Sequence, residues 1–462
     1  MEPVEQRSVD VGKLNGDLRG AAVAPGEQGW DDARAAWNLV ADQHPAAVAY
    51  VQTVDDVSAV IAFARSNGLR VAAQGTGHGA ACRGAIDGTI LVKTERMDGI
   101  EIDASRRVGR FEAGVIWRDA GNAAGEHGLA AFPGSSPDVG VVGYTTGGGF
   151  SWLGRRYGLA CNNVRAVELV TADGELRRVD ADSDPDLFWA LAGGGGSFGI
   201  ITAIEFGLLE LPEVFAGSVI YQANERSGEI LHRYREWTRS IPDEITSIAR
   251  FLHLPPLPQV PEPLRDRPLI TLGACYAGPE SEGAELIAPL RELGDPVMDL
   301  FAAMPPSQLV TVHMDPEEPV PGLVHTASLR ELPEAAVDAF VETAGPDSGS
   351  PLLLAEIRHA GGAMSAPPDG AGALSHLDAE FVLLGVGLPM SAELGEAITS
   401  HLDQMCDALE PWSTGGFYFN FAERPTGLEA LFGPDTLARL REVKRRYDPD
   451  DLVRGNHPIA IA

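Results

Sequence analysis

LRVAAQGTGHGAACRG, residues Leu69 to Gly84, runs from a short apolar stretch, Leu69–Ala73, into three glycines at alternate positions, Gly75, Gly77 and Gly79, with His78 between the last two. The apolar stretch predicts a strand. The glycines predict a loop whose backbone N–H groups can press against a pyrophosphate, because glycine has no Cβ to hold the ligand away. A histidine there adds reactivity, since neutral imidazole is a competent nucleophile near neutral pH and can bond to a ligand held against it. In isolation the same residues read more readily as a polar turn. Upstream, Thr53 or Asp55 caps a predicted helix with Val57, Val60, Ile61 and Ala64 at helical spacing, and Gly68 ends it. The order is helix, strand, ligand loop.

A dinucleotide turn of the G-x-G-x-x-G kind is rejected. GTGHGA carries Ala80 at the third glycine, no amphipathic helix follows, and the next predicted strand, Thr89–Lys93, comes too soon for a crossover helix. Two further glycine-rich stretches give the first one meaning. GSSPDVGVVGYTTGGGF, Gly134–Phe150, holds six glycines with Thr145 and Thr146, and LFWALAGGGGSFGIIT spans Leu187–Thr202. Backbone donors and hydroxyls from such loops can enclose a phosphate-bearing ligand from several sides. Between the loops, alternating runs at Gly99–Ile102 and Arg107–Gly114 precede a predicted helix, Trp117–His127. Gly20–Asn38 has no period of either kind and is expected to cross the surface.

The chain has 462 residues, 44% of them hydrophobic, enough for a sizeable core and two domains. Its formal charge of −31 repels nucleic acid and anionic membranes at long range. Cys82, Cys161, Cys275 and Cys406 have neither disulfide-framework nor metal-ligand spacing, so no metal is expected. The first residues, MEPVEQRSVDVGKLNG, carry no basic and apolar leader pattern, and no run is long enough to span a membrane; a soluble, cytoplasmic protein is expected.

From about Leu211 the pattern changes to strands such as Leu269–Tyr276 alternating with helices such as Pro279–Leu293, with a proline-rich surface connection at Pro255–Pro268. GFYFNF, Gly416–Phe421, predicts a strand with Phe417, Phe419 and Phe421 turned to the core and Tyr418 and Asn420 to something polar. LLLAEIRH, Leu352–His359, places Glu356 and Arg358 on one strand face, where burial would require pairing, and His359 on the other, as a structural residue. A surface ion pair is the alternative. Pro434–Tyr447 predicts a helix with Leu437, Leu440 and Val443 inward, stopped at Asp448-Pro449.

The succession QGTGHG, SPDVGVVGYTTGGGF, YGLACNNV, DLFWALAGGGGSFGIIT and YDPDDLVRGNHPI resembles the FAD-linked oxidases of the vanillyl-alcohol oxidase superfamily, in the berberine-bridge-enzyme-like branch, from about Gly29 to the C-terminus. The resemblance implies an α+β fold of two domains: a PCMH-type FAD-binding domain (1–212), an antiparallel-sheet substrate domain backed by helices (213–414), and a C-terminal segment (415–462) returning to the FAD domain. It implies FAD carried covalently by His78. Ser136 stands where many members have a second attachment cysteine, so a single bond is expected, and Tyr144 replaces a histidine common in the doubly attached members. The resemblance places the cofactor on Gly75, Thr76, Gly77 and Gly79; on Ser136, Val139, Gly140, Gly143, Tyr144, Thr146, Gly147 and Gly148; on Gly199 and Ile201; and on Asn456 and His457. Val139, a small residue, favours oxidase over dehydrogenase. Tyr418 falls at the family's active-site base, and Glu356 lies in a strand that places an acidic group near the flavin in related enzymes. Free tyrosine, with a pKa of about 10, needs help to act near neutrality.

The expected function is that of an FAD-dependent oxidase. Tyr418, assisted by Glu356, takes a proton from an alcohol, sugar or secondary-metabolite substrate, hydride passes to the flavin, and O2 reoxidises it to give H2O2. A flavin dehydrogenase, an oxidative tailoring or ring-closing enzyme, and a non-catalytic flavin-binding protein are the alternatives. The substrate lies in the middle domain and is not legible, and the oligomeric state is open.

Overall fold

The computed structural model describes residues 9–256, 258 and 260–461. The first eight residues, part of the stretch read above for a leader, lie outside them.

The helix Val54–Ser66 forms where its capping pattern puts it. Thr53 Oγ1 accepts the Asp56 N–H at 3.3 Å, and Val57, Val60, Ile61 and Ala64 are all fully buried. They pack on a four-stranded sheet ordered Ala21–Val23, Ala47–Tyr50, Thr89–Lys93 and Arg70–Gln74. Thr89–Lys93 runs parallel to both of its neighbours. No α-helix lies between Arg70–Gln74 and Thr89–Lys93; residues 75–88 make the connection with only a 3-10 turn at Ala81–Arg83. The glycine–histidine loop therefore leaves the carboxyl end of a parallel strand, the side on which open sheets bind ligands. Gly20–Asn38 is more than a surface crossing. It contributes the edge strand Ala21–Val23 and the short helix Trp30–Arg34, both too brief to show a period.

A five-stranded antiparallel sheet follows, ordered Ile100–Asp103, Val108–Glu112, Ile200–Gly207, Val164–Val170 and Leu176–Val179. It packs with the helices Trp117–Gly125, Val141–Thr146, Pro185–Leu191 and Pro434–Tyr447 around one core. The third sheet is eight-stranded and antiparallel, its central order being Val214–Gln222, Pro268–Tyr276, Ile245–His253, Leu354–His359, Phe381–Gly387 and Leu323–Leu329. Helices Ser227–Thr238, Glu280–Arg291, Glu334–Ala344 and Ala392–Leu409 back one face of it. Strand alternation sorts the residues: Ala355, Ile357, Phe381 and Leu383 join the helix-backed core, while Arg358, Leu384 and Val386 face a cavity.

The C-terminal segment is tied down by a buried cation. Lys444 Nζ donates to Asp448 Oδ2 and to the carbonyls of Ser197 and Val453, and Asp448 accepts the Leu452 and Val453 N–H groups. The chain then pairs with Val71, whose N–H and carbonyl bond Leu452 O and Arg454 N at 2.8 Å each. This delivers Asn456 to the first glycine loop and His457 to Phe419.

GFYFNF is not a strand. It runs irregularly into a 3-10 turn at Phe419–Phe421. Phe419 enters the core beside His457, whereas Phe421 packs edge-on against Tyr418 with ring centroids 4.9 Å apart. The three phenylalanines therefore do not share a face: Ser328 in the strand Leu323–Leu329 bonds Thr414 and Gly416, but the pairing stops there and does not impose alternation on Phe417–Phe421.

Candidate active site

One cavity of about 370 Å³ lies between the glycine loops and the bare face of the large sheet. Gly75, Thr76, Gly77, His78 and Gly79 form one wall. Ser136, Val139, Gly140, Gly143, Tyr144 and Thr146 form a second, and Gly199, Ile201, Asn456, His457 and Tyr418 also reach it. Three of the expected residues do not. Gly147 packs beneath Asn420, where an added Cβ would fall 1.8 Å from Oδ1; Gly148 takes a left-handed φ of +109° against Leu374; Glu356 is set behind the wall.

His78 is held on three sides. Trp37 stacks on its ring at 4.1 Å with 16° between planes, Nδ1 is 2.8 Å from Thr76 Oγ1, and Nε2 is 3.3 Å from Asp138 Oδ1. That last contact is not aligned as a hydrogen bond, which leaves Nε2 shielded from solvent without a hydrogen-bonding partner among the described residues. Asp138 accepts the Ser136 hydroxyl at 2.9 Å and the Trp37 indole N–H at 2.5 Å. Burial works to raise its carboxyl, and His78, Ser136 and Trp37 together bring it below the ordinary value.

Tyr418 is 1% exposed, and its oxygen accepts the Phe150 backbone N–H at 2.8 Å and the Asn420 Nδ2–H at 3.1 Å. Its own proton has no protein acceptor among the described residues. Burial raises the phenol above its ordinary pKa.

Glu356 and Arg358 are a buried pair, 0% and 6% exposed, not a surface one. Arg358 Nε donates to Glu356 Oε1, and His313 Nε2 lies 2.6 Å from Oε2. His313 Nδ1 meets Asp315 Oδ1 at 2.5 Å, and Arg250, the cross-strand partner of Glu356, donates to the His313 carbonyl at 2.9 Å. Arg358, His313 and Asp315 line the cavity. His359 turns the other way, to Arg155 and Glu380 at 3.0 and 3.2 Å, and stacks on Phe381.

The residues at the loops suit a phosphate-bearing ligand. Cβ atoms added at Gly140 or Gly143 would meet no protein atom closer than 4.0 Å, so protein packing does not explain these glycines, whereas a close ligand does. Arg83 donates through Nη2 to Asn456 Oδ1, and its Nε and Nη1 are buried without partners among the described residues. Burial alone lowers this guanidinium to about 10.

Comparison with known proteins agrees with this geometry. Residues 45–180 match the FAD binding domain family, and residues 417–460 match the berberine and berberine-like family. (R)-6-hydroxynicotine oxidase of Paenarthrobacter nicotinovorans is 29% identical, over 96% of this chain and 97% of that one. The chain is an FAD-linked oxidoreductase of the berberine-bridge-enzyme-like branch. The crystal structure of 6-hydroxy-D-nicotine oxidase from Arthrobacter nicotinovorans superposes with a TM-score of 0.83 at 25% identity, covering 96% of this chain and 98% of that chain. Berberine-bridge-enzyme-like 1 of Physcomitrella patens shares the fold, with a TM-score of 0.84 at 20% identity, over 98% of this chain and all of the other.

FAD is the cofactor of this oxidoreductase, and small organic molecules are its substrates. Cys82 is not a buried packing residue like Cys161: it lines the cavity, and its thiol points at the Gly79 and Asn456 carbonyls. No helix among the described residues is long and apolar enough to cross a membrane. Trp37, Arg83, Asp138, His313 and Asp315 were not singled out from the sequence. Asp138 and Arg83 sit inside quoted stretches but read there as turn and loop residues, and the others reach the cavity only through long-range folding.

Proposed function

We propose that this oxidoreductase is an oxidase carrying FAD on His78, with Tyr418 as the active-site base. The observation that carries this reading is the Tyr418 hydroxyl: two N–H groups fix its oxygen, its proton has no protein acceptor, and it shares a cavity with His78 and the glycine loops. Bound FAD supplies a hydride acceptor and passes the electrons to O2, giving H2O2. The N–H donors from Phe150 and Asn420 favour the phenolate, and burial opposes it, so proton removal from the substrate hydroxyl is concerted with hydride departure. Glu356 acts through its neighbours, keeping Arg358 and His313 oriented toward the substrate. Val139 on the cavity wall supports access of O2.

The substrate side of the cavity supports an apolar substrate with one polar end. Val320, Val324, Leu354, Leu384, Val386 and Leu388 form an aliphatic strip, and Arg358 and His313 stand beside it, with Phe150 and Phe421 against Arg358. We read the substrate as an alcohol on an apolar natural-product skeleton. The test is peroxide release across a panel of apolar alcohols and oligosaccharides, with a dye acceptor in parallel. Turnover with the dye but not with O2 identifies a dehydrogenase, and oligosaccharide turnover removes the apolar reading.

A further inference from the structure

The polar end of the cavity is built around one open cation. We propose that Arg358 selects hydroxy acids as substrates, taking the substrate carboxylate on its guanidinium while the reacting hydroxyl lies a few bonds away at Tyr418; this rests on the alcohol-oxidase reading above.

The first support is the donor count. Arg358 is 6% exposed and lines the cavity. Of its five N–H groups, one goes to Glu356 Oε1 and one to Ser135 Oγ at 3.4 Å; the other three have no acceptor among the described residues. A desolvated donor fork left open in this way matches the two oxygens of a carboxylate.

Charge supplies the second. The carboxyls of Asp315 and Glu356 are both held below their ordinary values, and each meets a different ring nitrogen of His313, at 2.5 and 2.6 Å, so the ring donates from both nitrogens. Arg250 Nη1 is 3.0 and 3.1 Å from the same two nitrogens, which places it over the ring face and outside the donor plane. Arg250, Arg358 and this imidazolium therefore stand against two carboxylates, and one positive charge is left over. An ammonium group would be repelled there, a neutral alcohol would leave the charge unpaired, and a carboxylate neutralises it. Glu423, also on the wall, has its carboxyl pushed up to about 8 by burial and adds no opposing charge at neutral pH.

The third is position. Arg358 Cζ lies 4.8 Å from the centre of the Phe421 ring and 5.9 Å from that of Phe150, and Tyr418 packs on the same two rings with centroids 4.9 and 6.2 Å away. Cation and base thus share one aromatic seat, which sets the carboxylate close to the reacting carbinol. Val324, Leu384 and Val386 are left for the apolar skeleton. The carboxylate is unchanged by the reaction: a hydride leaves the carbinol carbon and a proton its oxygen, the C–O bond becomes a carbonyl, and O2 takes the two electrons and two protons as H2O2.

Octanoate, octanamide and octylamine test the site in the holoenzyme without turnover, each titrated against the visible flavin spectrum near neutral pH. Salt at about 0.1 M confines the repulsion from the acidic surface to roughly 10 Å. Octanoate should bind about tenfold to a hundredfold more tightly than octanamide, and octylammonium should not bind. Arg358→Gln should lose the preference. Arg358→Lys, which keeps a charge beside Glu356 and with it the fold, should retain part of it. In turnover, 2-hydroxyoctanoate or 3-hydroxyoctanoate should exceed 2-octanol in kcat/KM by a similar factor, mainly through KM, and the advantage should vanish in Arg358→Gln.

Failure of octanoate to bind, equal binding of octanoate and octanamide, or an unchanged preference in Arg358→Gln overturns the proposal. If neutral alcohols are oxidised and hydroxy acids are not, the proposal falls and the alcohol-oxidase reading stands. If octanoate binds through Arg358 but no hydroxyl compound reduces the flavin, the alcohol-oxidase reading falls, and the hydroxy-acid proposal with it.

Discussion

His313 Nε2 lies 2.6 Å from Glu356 Oε2, joining a strand of the large sheet to the irregular segment that forms the cavity rim. Burial alone would raise the Glu356 carboxyl; Arg358 and His313 outweigh it and hold it far below the usual carboxylate range. Glu356 therefore works as a fixed negative charge behind two groups that face the substrate.

Removing that charge leaves Arg358, Arg250 and His313 with less compensation in a buried place. Glu356→Gln should destabilise the protein by about 3–5 kcal/mol at neutral pH. Because the folded carboxyl is depressed, its contribution is present above the unfolded value of about 4.3 and fades as pH falls toward the folded one. Urea midpoints over a pH series should show the gap between wild type and variant closing in acid. A constant gap would mean that Glu356 is not ionised in the folded protein.

Tyr418→Phe keeps the ring in its packing against Phe150 and Phe421 and removes the oxygen held by Phe150 N and Asn420 Nδ2. Flavin content should be unchanged, and the rate of flavin reduction by substrate should fall about a hundredfold to ten-thousandfold. Since burial raises the phenol, the wild-type rate should keep climbing through the alkaline range without levelling at the ordinary tyrosine pKa. Stopped-flow reduction at successive pH values reads both effects, and a variant as fast as wild type would remove Tyr418 as base.

Two neighbouring glycines should respond oppositely. Gly143 lies in the helix Val141–Thr146 with open space around it, so Gly143→Ala should raise the stability of the flavin-free chain by about 0.5–1 kcal/mol while lowering FAD occupancy. At Gly147 a Cβ would fall 1.8 Å from Asn420 Oδ1. Gly147→Ala should therefore displace Asn420, weaken its bond to Tyr418, and slow flavin reduction. Melting curves with and without FAD separate the two cases, and equal behaviour would contradict the ligand-facing role of Gly143.

Elements with a local cause were legible in the sequence. Val54–Ser66, Thr89–Lys93 and Pro434–Tyr447 appear where periodicity, caps and breakers put them. GFYFNF failed because alternation requires a partner strand, and here Phe419 and Phe421 are drawn to different neighbours. At the site, the glycines and His78 announce themselves by type and spacing. Trp37 and Asp138, 101 residues apart, meet only after folding, and His313 carries no pattern at all. Local sequence encodes the loop, whereas its chemistry depends on contacts made across the chain.

Glu423 supplies a final prediction, opposite in sign to Glu356. It lines the cavity, and among the described residues no cation pairs with it; its Oε2 accepts the Asn38 Nδ2–H at 2.8 Å, and Asn38 in turn exchanges hydrogen bonds with the Gly322 backbone. Burial pushes the Glu423 carboxyl up to about 8, with the Asn38 donor working against it. The folded protein therefore holds a proton that the unfolded chain, titrating near about 4.3, has released at neutral pH. Its stability contribution is full below the unfolded value and is lost as pH rises to about 8, where a carboxylate forms in a half-buried place. Glu423→Gln keeps the amide-to-oxygen bond with Asn38 and cannot ionise. The variant should match wild type in mild acid and exceed it by about 1–3 kcal/mol above pH ~8. Thermal melts at increasing pH test this directly: parallel curves for the two proteins would place the Glu423 titration at its ordinary value.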